Sequence, residues 1–476
     1  MGMNDYPETL QSSGLPRGSA SRTEPSPSPG LALLQSSFGL VAAVVYAAVY
    51  GFARAATRVD IWVFWLLISK PLIDLTWNWR YVEILQQGVN LQTVVALFAF
   101  LLSALAIFKM RRKLIRSKAL IAFLAWALFS VAVTPSDWGM NELLRLYSGA
   151  LLFFVAGYAL DTPDKLARFT RFFLLVLLVP IFFVFLQAMG LVPFSYWDWA
   201  DGREVGRASG MYQTPLELVR YLIIGVPLAL WMRDRSEKAT FSWFLSAGFL
   251  CLSAPALFFT FHRAGWIVIG LEVFLWQVFT KKTKAVMIFA LTLLLFGMLF
   301  SERVESLYAP LRQAVSGEID LGGEEFLRGR GALWVIFLDS LFSSHPAIWF
   351  IGKGGSIAEG FVPGLADGIT NEPHNDFLRI LHAYGLVGLM LYLLVLGGFL
   401  AIVRRLRRCA RGSFDRDVGT LLLIVLLATV LMSVTTEPMR YPTVWYFFAL
   451  ASVCVLRIRT GSGLAGKCAG VSGATA

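Results

Sequence analysis

Apolar residues along this chain gather into long runs separated by short polar stretches. Most runs approach the ~20 residues a helix needs to cross a hydrocarbon core. They predict helical spans over residues 31–52, 61–79, 91–108, 119–134, 142–160, 172–192, 215–232, 241–260, 264–280, 284–300, 380–403, 418–435 and 443–457. The runs 119–134 and 443–457 are short and extend into their flanks. The pattern predicts an all-α, polytopic integral membrane protein of about 12 or 13 transmembrane helices with one large extracytoplasmic loop.

Five regions follow from the same pattern. Residues 1–30 are rich in Ser, Pro and Gly, lack apolar periodicity and are expected to be a disordered tail without a signal-peptide cleavage site. Residues 31–300 form the first set of spans, 301–379 the large outer loop, 380–457 the C-terminal spans and 458–476 a second disordered tail. Within the large loop, Leu333, Val335, Ile336, Leu338 and Leu341 predict a helix near 328–343, ended by Pro346, Gly352, Gly354 and Gly355.

Charge gives the orientation. Lys109, Arg111, Arg112, Lys113, Arg116 and Lys118 crowd one loop. Arg233, Arg235 and Lys238 mark a second, Lys281, Lys282 and Lys284 a third, and Arg404, Arg405, Arg407, Arg408 and Arg411 a fourth. Counting spans puts all four on one side, the cytoplasmic side by the positive-inside rule. The loops around 80–90, 135–141, 193–214, 261–263, 301–379 and 436–442 then face outward. If 31–52 spans, there are thirteen spans and the N-terminal tail lies outside; if it is peripheral, there are twelve and both termini are cytoplasmic.

Composition agrees. The chain is 57% hydrophobic and 15% charged, against about 45–50% and about 25% for a soluble domain. The net charge of +11 sits in the short loops, so it reflects topology and implies no nucleic-acid partner. Cys251, Cys409, Cys454 and Cys468 suggest no disulfide pair or zinc spacing.

Candidate chemistry concentrates outside. The polar stretch Thr370 to Arg379 runs into an apolar span and holds His374, one of four histidines. An imidazole with an ordinary pKa near 6.5 suits a general base for a hydroxyl. Glu372 and Asp376 could orient it, while Asn375 or Asp376 could equally cap the following helix. His262, His345 and His382 rank lower, His382 as a packing residue. Arg263 stands in a short turn between two spans. Arg220 lies inside a span, where a charge is costly and functional by default unless paired, and Glu217 is its obvious partner. Arg203 and Arg207, and Arg328 and Arg330, lie in outer loops. Guanidinium groups grip phosphate oxygens bidentately, although some arginines of this kind only snorkel toward headgroups. Gly352-Lys353-Gly354-Gly355-Ser356 lacks the spacing of a nucleotide loop and predicts a tight turn. Lys70 and Asp74, at i and i+4, predict a buried neutralising pair. No motif calls for a metal.

At His374 the residues resemble a known family. His374-Asn375, nine residues, then Gly385-Leu386-Val387-Gly388 is similar to the H-N-x9-G-x-x-G signature of the bacterial O-antigen ligase and polysaccharide polymerase superfamily. Pro373-His374-Asn375-Asp376-Phe377-Leu378 resembles its exopolysaccharide-polymerase members. Arg207-Ala208-Ser209-Gly210-Met211-Tyr212, the short-loop Arg263, Arg330-Gly331-Ala332-Leu333-Trp334 and the glycine turn at 352–355 resemble further elements in the family's order. His262 departs from it, since members often carry a small polar residue there.

The resemblance implies a glycosyltransferase. It would move a glycan from a polyprenyl-pyrophosphate donor to a sugar hydroxyl on the periplasmic side of the bacterial inner membrane. Arg263, with Arg203, Arg207 or Arg220, would bind the diphosphate, and His374 would deprotonate the acceptor so that attack inverts the anomeric carbon. Arg330 would hold the acceptor or the second phosphate, with Glu372, Asn375 and Asp376 also lining the substrate site. The implied cofactor is none, neither metal nor nucleotide sugar. The implied partners are the lipid-linked donor, a glycan or lipid A–core acceptor, membrane lipids and other polysaccharide-assembly proteins. Polymerisation of repeat units leads, ligation to lipid A–core follows, and a flippase or transporter with Arg220, Lys70 and Asp74 along its path is the reading from another class.

Overall fold

The computed structural model describes residues 58–76, 80–84, 87–110, 115, 117–136, 139–194, 196–200, 203–281, 330–355, 373–410, 412–437 and 443–461. The first elements are α1 (Val59–Asp74), a hairpin of β1 (Arg80–Ile84) and β2 (Gln87–Asn90), α2 (Leu91–Lys109), α3 (Lys118–Val133), α4 (Gly139–Ala150), α5 (Gly157–Leu160) and α6 (Pro163–Ala188). A second hairpin, β3 (Tyr196–Ala200) and β4 (Arg203–Arg207), leads to α7 (Pro215–Arg235), α8 (Phe241–Phe259) and α9 (Arg263–Phe279). Then come α10 (Arg330–Phe342), α11 (Pro346–Ile351), α12 (Asp376–Arg408), α13 (Ser413–Thr435) and α14 (Thr443–Gly461). The protein is an all-α polytopic membrane protein. Among the described residues, α2, α6, α7, α8, α12 and α13 are each long and apolar enough to cross a membrane, and α3 is a shorter apolar helix. The runs 31–52 and 284–300, most of the 301–379 loop, the N-terminal tail and residues 462–476 lie outside the described residues, whereas residues 458–461, expected in the C-terminal tail, continue α14 as helix.

Most runs become helices within a few residues of their sequence bounds, and the differences have local causes. α6 starts at Pro163, well before the expected 172, because Thr162 caps it: its Oγ1 accepts from Lys165 N–H at 3.3 Å, with proline at the first helical position. Asp164, Lys165, Arg168 and Arg171 in those turns had diluted the apolar signal. The expected span 142–160 is broken into α4, a 3-10 turn at Leu151–Phe154 and α5. Neighbours satisfy the freed backbone: Ile115 N–H donates to the Phe154 carbonyl at 3.3 Å, and Gly157 N–H donates to Ser452 Oγ at 2.6 Å. The two hairpins occupy connections that show no apolar periodicity, so the sequence did not announce them. Cys409 is disulfide-bonded, against the sequence reading, because a bridge is set by spatial approach rather than by spacing.

α13 and α7 form the centre. α13 packs against α7, α9, α12 and α14, while α2 presents Val94, Leu97, Phe98, Leu101 and Phe108 outward, as a lipid-facing helix does. Cross-links fix the directions. Arg235 at the end of α7 pairs with Asp417 (2.8 Å) and donates to Ser413 Oγ (2.6 Å) at the start of α13. Arg407 near the end of α12 lies 4.5 Å over the ring of Phe279, which ends α9. Asn375 before α12 reaches Val434 near the end of α13. The N-termini of α7, α9 and α12 therefore share one end of the bundle, and the arginine-rich termini share the other.

α12 is interrupted at Gly385, whose φ of 68° and ψ of −173° are non-helical. Backbone groups freed inside an apolar medium must find partners. Here the glycine turn after α11 supplies them. Lys353 N–H donates to the His382 carbonyl (2.8 Å) and Gly354 N–H to the Ala383 carbonyl (2.9 Å). Ser130 Oγ adds a bond to Ala383 O (2.9 Å), and the Trp126 indole N–H donates to Tyr384 O (2.8 Å). A Cβ at Gly385 would collide with the Phe350 carbonyl, and one at Gly352 with the Ala383 carbonyl. Gly385→Ala is therefore expected to lose roughly 1–3 kcal/mol from backbone strain alone, with the collision added. The check is melting temperature in detergent: Gly385→Ala falls, and Gly398→Ala, where a Cβ meets open space, does not.

Candidate active site

The corner before α12 is held from both sides. Asn375 caps the helix: its Oδ1 accepts from Leu378 N–H and its Nδ2 donates to the Val434 carbonyl, both at 3.0 Å. Asp376 is fully buried. Its Oδ1 accepts from Arg379 Nε (3.2 Å) and Nη2 (3.0 Å), and its Oδ2 accepts from Ser433 Oγ (3.0 Å), which ties α12 to α13. On the other side, the Trp334 indole of α10 donates to the Pro373 carbonyl at 2.8 Å. His374 lies between these anchors, half-buried, with a left-handed φ of 48°. Few non-glycine residues adopt that conformation, and it persists only where the surroundings impose it.

The other imidazoles have structural duties. His262 Nδ1 accepts from Gly265 N–H at 3.0 Å and caps α9. His345 Nδ1 accepts from Ala347 N–H at 3.2 Å at the start of α11. His382 is buried, its Nδ1 2.9 Å from the Gly355 carbonyl and its ring packed edge-on against Phe337.

Arg263 is half-buried in the first turn of α9, directly after the His262 cap. The turn before it is braced by the Trp266 indole, which donates to Leu257 O at 2.9 Å, and by Trp266 stacking on Phe258. Arg207 is half-buried at the end of β4. The turn that follows is built on Gln187 of α6, whose Oε1 accepts from Ser209 and Gly210 N–H, each at 3.0 Å. Gly210 has φ 63°, and a Cβ there would come 2.5 Å from the Pro180 carbonyl. Tyr212 then stacks on Tyr221 of α7, which explains the glycine and the tyrosine that follow Arg207.

Arg220 is buried in the second turn of α7. Glu217 accepts from Gln213 N–H at 3.3 Å and feels Arg220, Lys70 and Asp74 as nearby charges. Lys70 and Asp74 form the expected buried pair, and Tyr221 Oη donates to the same carboxylate. Lys70 also lies 5.3 Å over Trp445. Arg379 is buried beside Asp376, with Glu142 and Glu437 as further negative neighbours.

The sequence thus pointed to residues that the fold gathers at one end of the bundle: His374, Asn375 and Asp376 at α12, Arg263 at α9, Arg220 at α7 and Arg207 at the β4 end. Arg203 begins β4 and Arg330 begins α10, but their side chains, and Glu372 altogether, lie outside the described residues. Trp334 entered the sequence reading only as the end of the Arg330-to-Trp334 element, without a role, and Gln187, Ser433 and Arg379 were not singled out. The available signal was a polar residue within or beside an apolar run, which calls for a partner.

Residues 247–393 match the family model described as O-antigen ligase. No curated protein matches the chain. The matched stretch runs from within α8 to within α12, and it contains Arg263, Trp334, the glycine turn, His374 and the break at Gly385. This stretch is similar to the O-antigen ligase family, in agreement with the resemblance that the motifs from Arg263 to Gly388 carry.

Proposed function

We propose that the protein transfers a glycan from a polyprenyl-pyrophosphate carrier to a sugar hydroxyl at the periplasmic face of the inner membrane, and that it polymerises polysaccharide repeat units. The observation that carries this reading is that His374 and Arg263 both open helices at the same end of the bundle, opposite the arginine-rich end. The positive-inside rule assigns the arginine-rich end to the cytoplasm, so the site faces the periplasm.

In the reaction, an imidazole nitrogen of His374 takes the proton from the acceptor hydroxyl. The acceptor oxygen forms its bond to the anomeric carbon from the face opposite the leaving group. The anomeric carbon–oxygen bond breaks, its electron pair leaves on the polyprenyl diphosphate, and the configuration inverts. Arg263, with Arg207, Arg220 and Arg203, holds the diphosphate and stabilises the charge that develops on it. Arg330 holds the acceptor or the second phosphate. Asn375 and Asp376 act by fixing His374, and Glu372 lies two residues before it in the chain. No metal is needed, because the diphosphate is already an activated leaving group and guanidiniums supply the positive charge. Polymerisation is favoured over ligation by the His-Asn-Asp-Phe-Leu form of the motif. A transport path along Lys70 and Asp74 is disfavoured, because those side chains are committed to each other and to Tyr221.

The test is the surface glycan of a deletion strain complemented with wild type or His374→Ala. Loss of long polymer with single units retained supports polymerisation, and accumulation of lipid-linked polymer moves the assignment to ligation. His374→Ala is expected to cut transfer by about 10²–10⁴-fold, the usual worth of a general base, while membrane insertion is unchanged. Normal polymer length in that strain removes His374 as the base. Arg263→Lys keeps the charge and loses the bidentate fork, so it should fail in an initial-rate assay with lipid-linked donor. Wild-type rate would leave Arg263 a point charge only. Trp334→Phe removes the indole donor to Pro373 and should lower the turnover rate about tenfold, from an unmet carbonyl worth ~1–3 kcal/mol. Its melting temperature should fall far less than that of Gly385→Ala.

A further inference from the structure

At the end of the bundle opposite His374, a cavity of about 500 Å³ opens between α12 and α13. Its wall is apolar, with Val403, Leu423 and Leu427 among its residues, and its rim is Arg404, Arg407, Arg408 and Arg416. Four guanidiniums on one rim repel one another, and Arg416 acts on Arg407 as a like charge. The carboxylates nearest in sequence are committed elsewhere. Asp415 pairs with Arg457 at 2.7 Å and Asp417 with Arg235 at 2.8 Å, although they flank Arg416 on both sides. Among the described residues, none of the four rim arginines forms an ion pair.

The rim is also built rather than merely charged. Arg407 is anchored over the Phe279 ring, 4.5 Å from its centroid. Its stem lies along α13 at Gly419, where a Cβ would come within 2.8 Å of Arg407 Cγ. The missing side chain at Gly419 therefore gives Arg407 its place.

We propose that this cavity binds one anionic phospholipid of the cytoplasmic leaflet, its phosphate on the arginine rim and an acyl chain along Val403, Leu423 and Leu427. A basic rim above an apolar slot between helices suits such a headgroup, and planar guanidiniums suit its phosphate. Surface charge alone would not need the slot, and an apolar slot alone would not need the arginines. The site is remote from the transfer centre and stands without it.

The full-length protein, purified in detergent, is titrated with phosphatidylglycerol, phosphatidylcholine or inorganic phosphate and read by native mass spectrometry and melting temperature. Phosphatidylglycerol should bind at one per chain and raise the melting temperature, while phosphatidylcholine and free phosphate should do neither. Arg407→Gln with Arg416→Gln should weaken binding about tenfold or more, given the worth of each basic residue near an anionic headgroup. Arg233→Gln with Lys238→Gln removes two charges from the same end of the bundle outside the cavity and should leave binding unchanged. Leu427→Trp fills the slot without altering charge and should also weaken it. Equal loss in both double variants, equal binding of phosphatidylcholine, displacement of lipid by inorganic phosphate, or unchanged binding in Leu427→Trp would each overturn the assignment.

Discussion

A helix that breaks inside an apolar medium must have its freed carbonyls met by other donors, and the break at Gly385 sets the arrangement around it. An unsatisfied backbone group there costs several kcal/mol, comparable to a large share of a domain's net stability. The donors come from the turn at Lys353 and Gly354, from Ser130 of α3 and from Trp126. One interaction thus ties three separated stretches of chain together. It also requires glycine on both sides, because the two backbones approach too closely for a Cβ at residue 352 or 385. The same turn returns the chain from α11 against α12 and packs His382 under Phe337.

That constraint reaches the candidate corner at His374 through rigidity. The segment from Asp376 to Tyr384 is a short helix clamped at both ends, by the break on one side and by Asn375, Asp376 and Ser433 on the other. His374 precedes the clamp by one residue and is fixed from behind by the Trp334 bond to Pro373. A general base works only when its nitrogen is held within hydrogen-bond reach of the proton it removes. The left-handed backbone of His374 is a local cost that these anchors offset. On the proposed reading, Asn375 and Asp376 matter because they convert the packing of α13 into the placement of an imidazole.

The spans were legible because apolar runs of bilayer length leave little alternative. α8 and α9 begin and end within a residue of the expected 241–260 and 264–280. The Lys70–Asp74 pair was legible because i, i+4 opposite charges inside a span have one cheap solution. Other features were not. Gly385 and Gly388 were legible as a G-x-x-G element inside an apolar run, but only the approach of Gly352 shows why one of them takes a positive φ. The cap at Thr162 lay behind four charged residues and was missed. The hairpin of β3 and β4 places Arg207 at a strand end beside a turn held by Gln187, a partner two elements away that no local pattern names. At the site, residue types were readable from chemistry, whereas their anchors depend on contacts between distant segments.

The end of the bundle that holds His374 sorts most of its charges by depth. Lys70 and Arg379 are buried and bonded to Asp74 and Asp376, and an isolated charge at that depth would be far more costly than a paired one. Arg207 and Arg263 sit half-buried at element ends, where water and a ligand can still reach them. On the proposed reading, the diphosphate binds at the end of the bundle where the N-termini of α7, α9 and α12 also lie, and each helix N-terminus carries about half a positive charge from its backbone dipoles. Such dipoles are fixed before the substrate arrives and need no reorganisation as charge moves onto the leaving group, which is the condition under which electrostatic stabilisation is most effective. The deep pairs hold the helices in register, and on the proposed reading Arg207 and Arg263 act on the donor. On that reading, losing the Arg379 pair to Asp376 would be a folding defect, and losing the Arg263 fork a kinetic one.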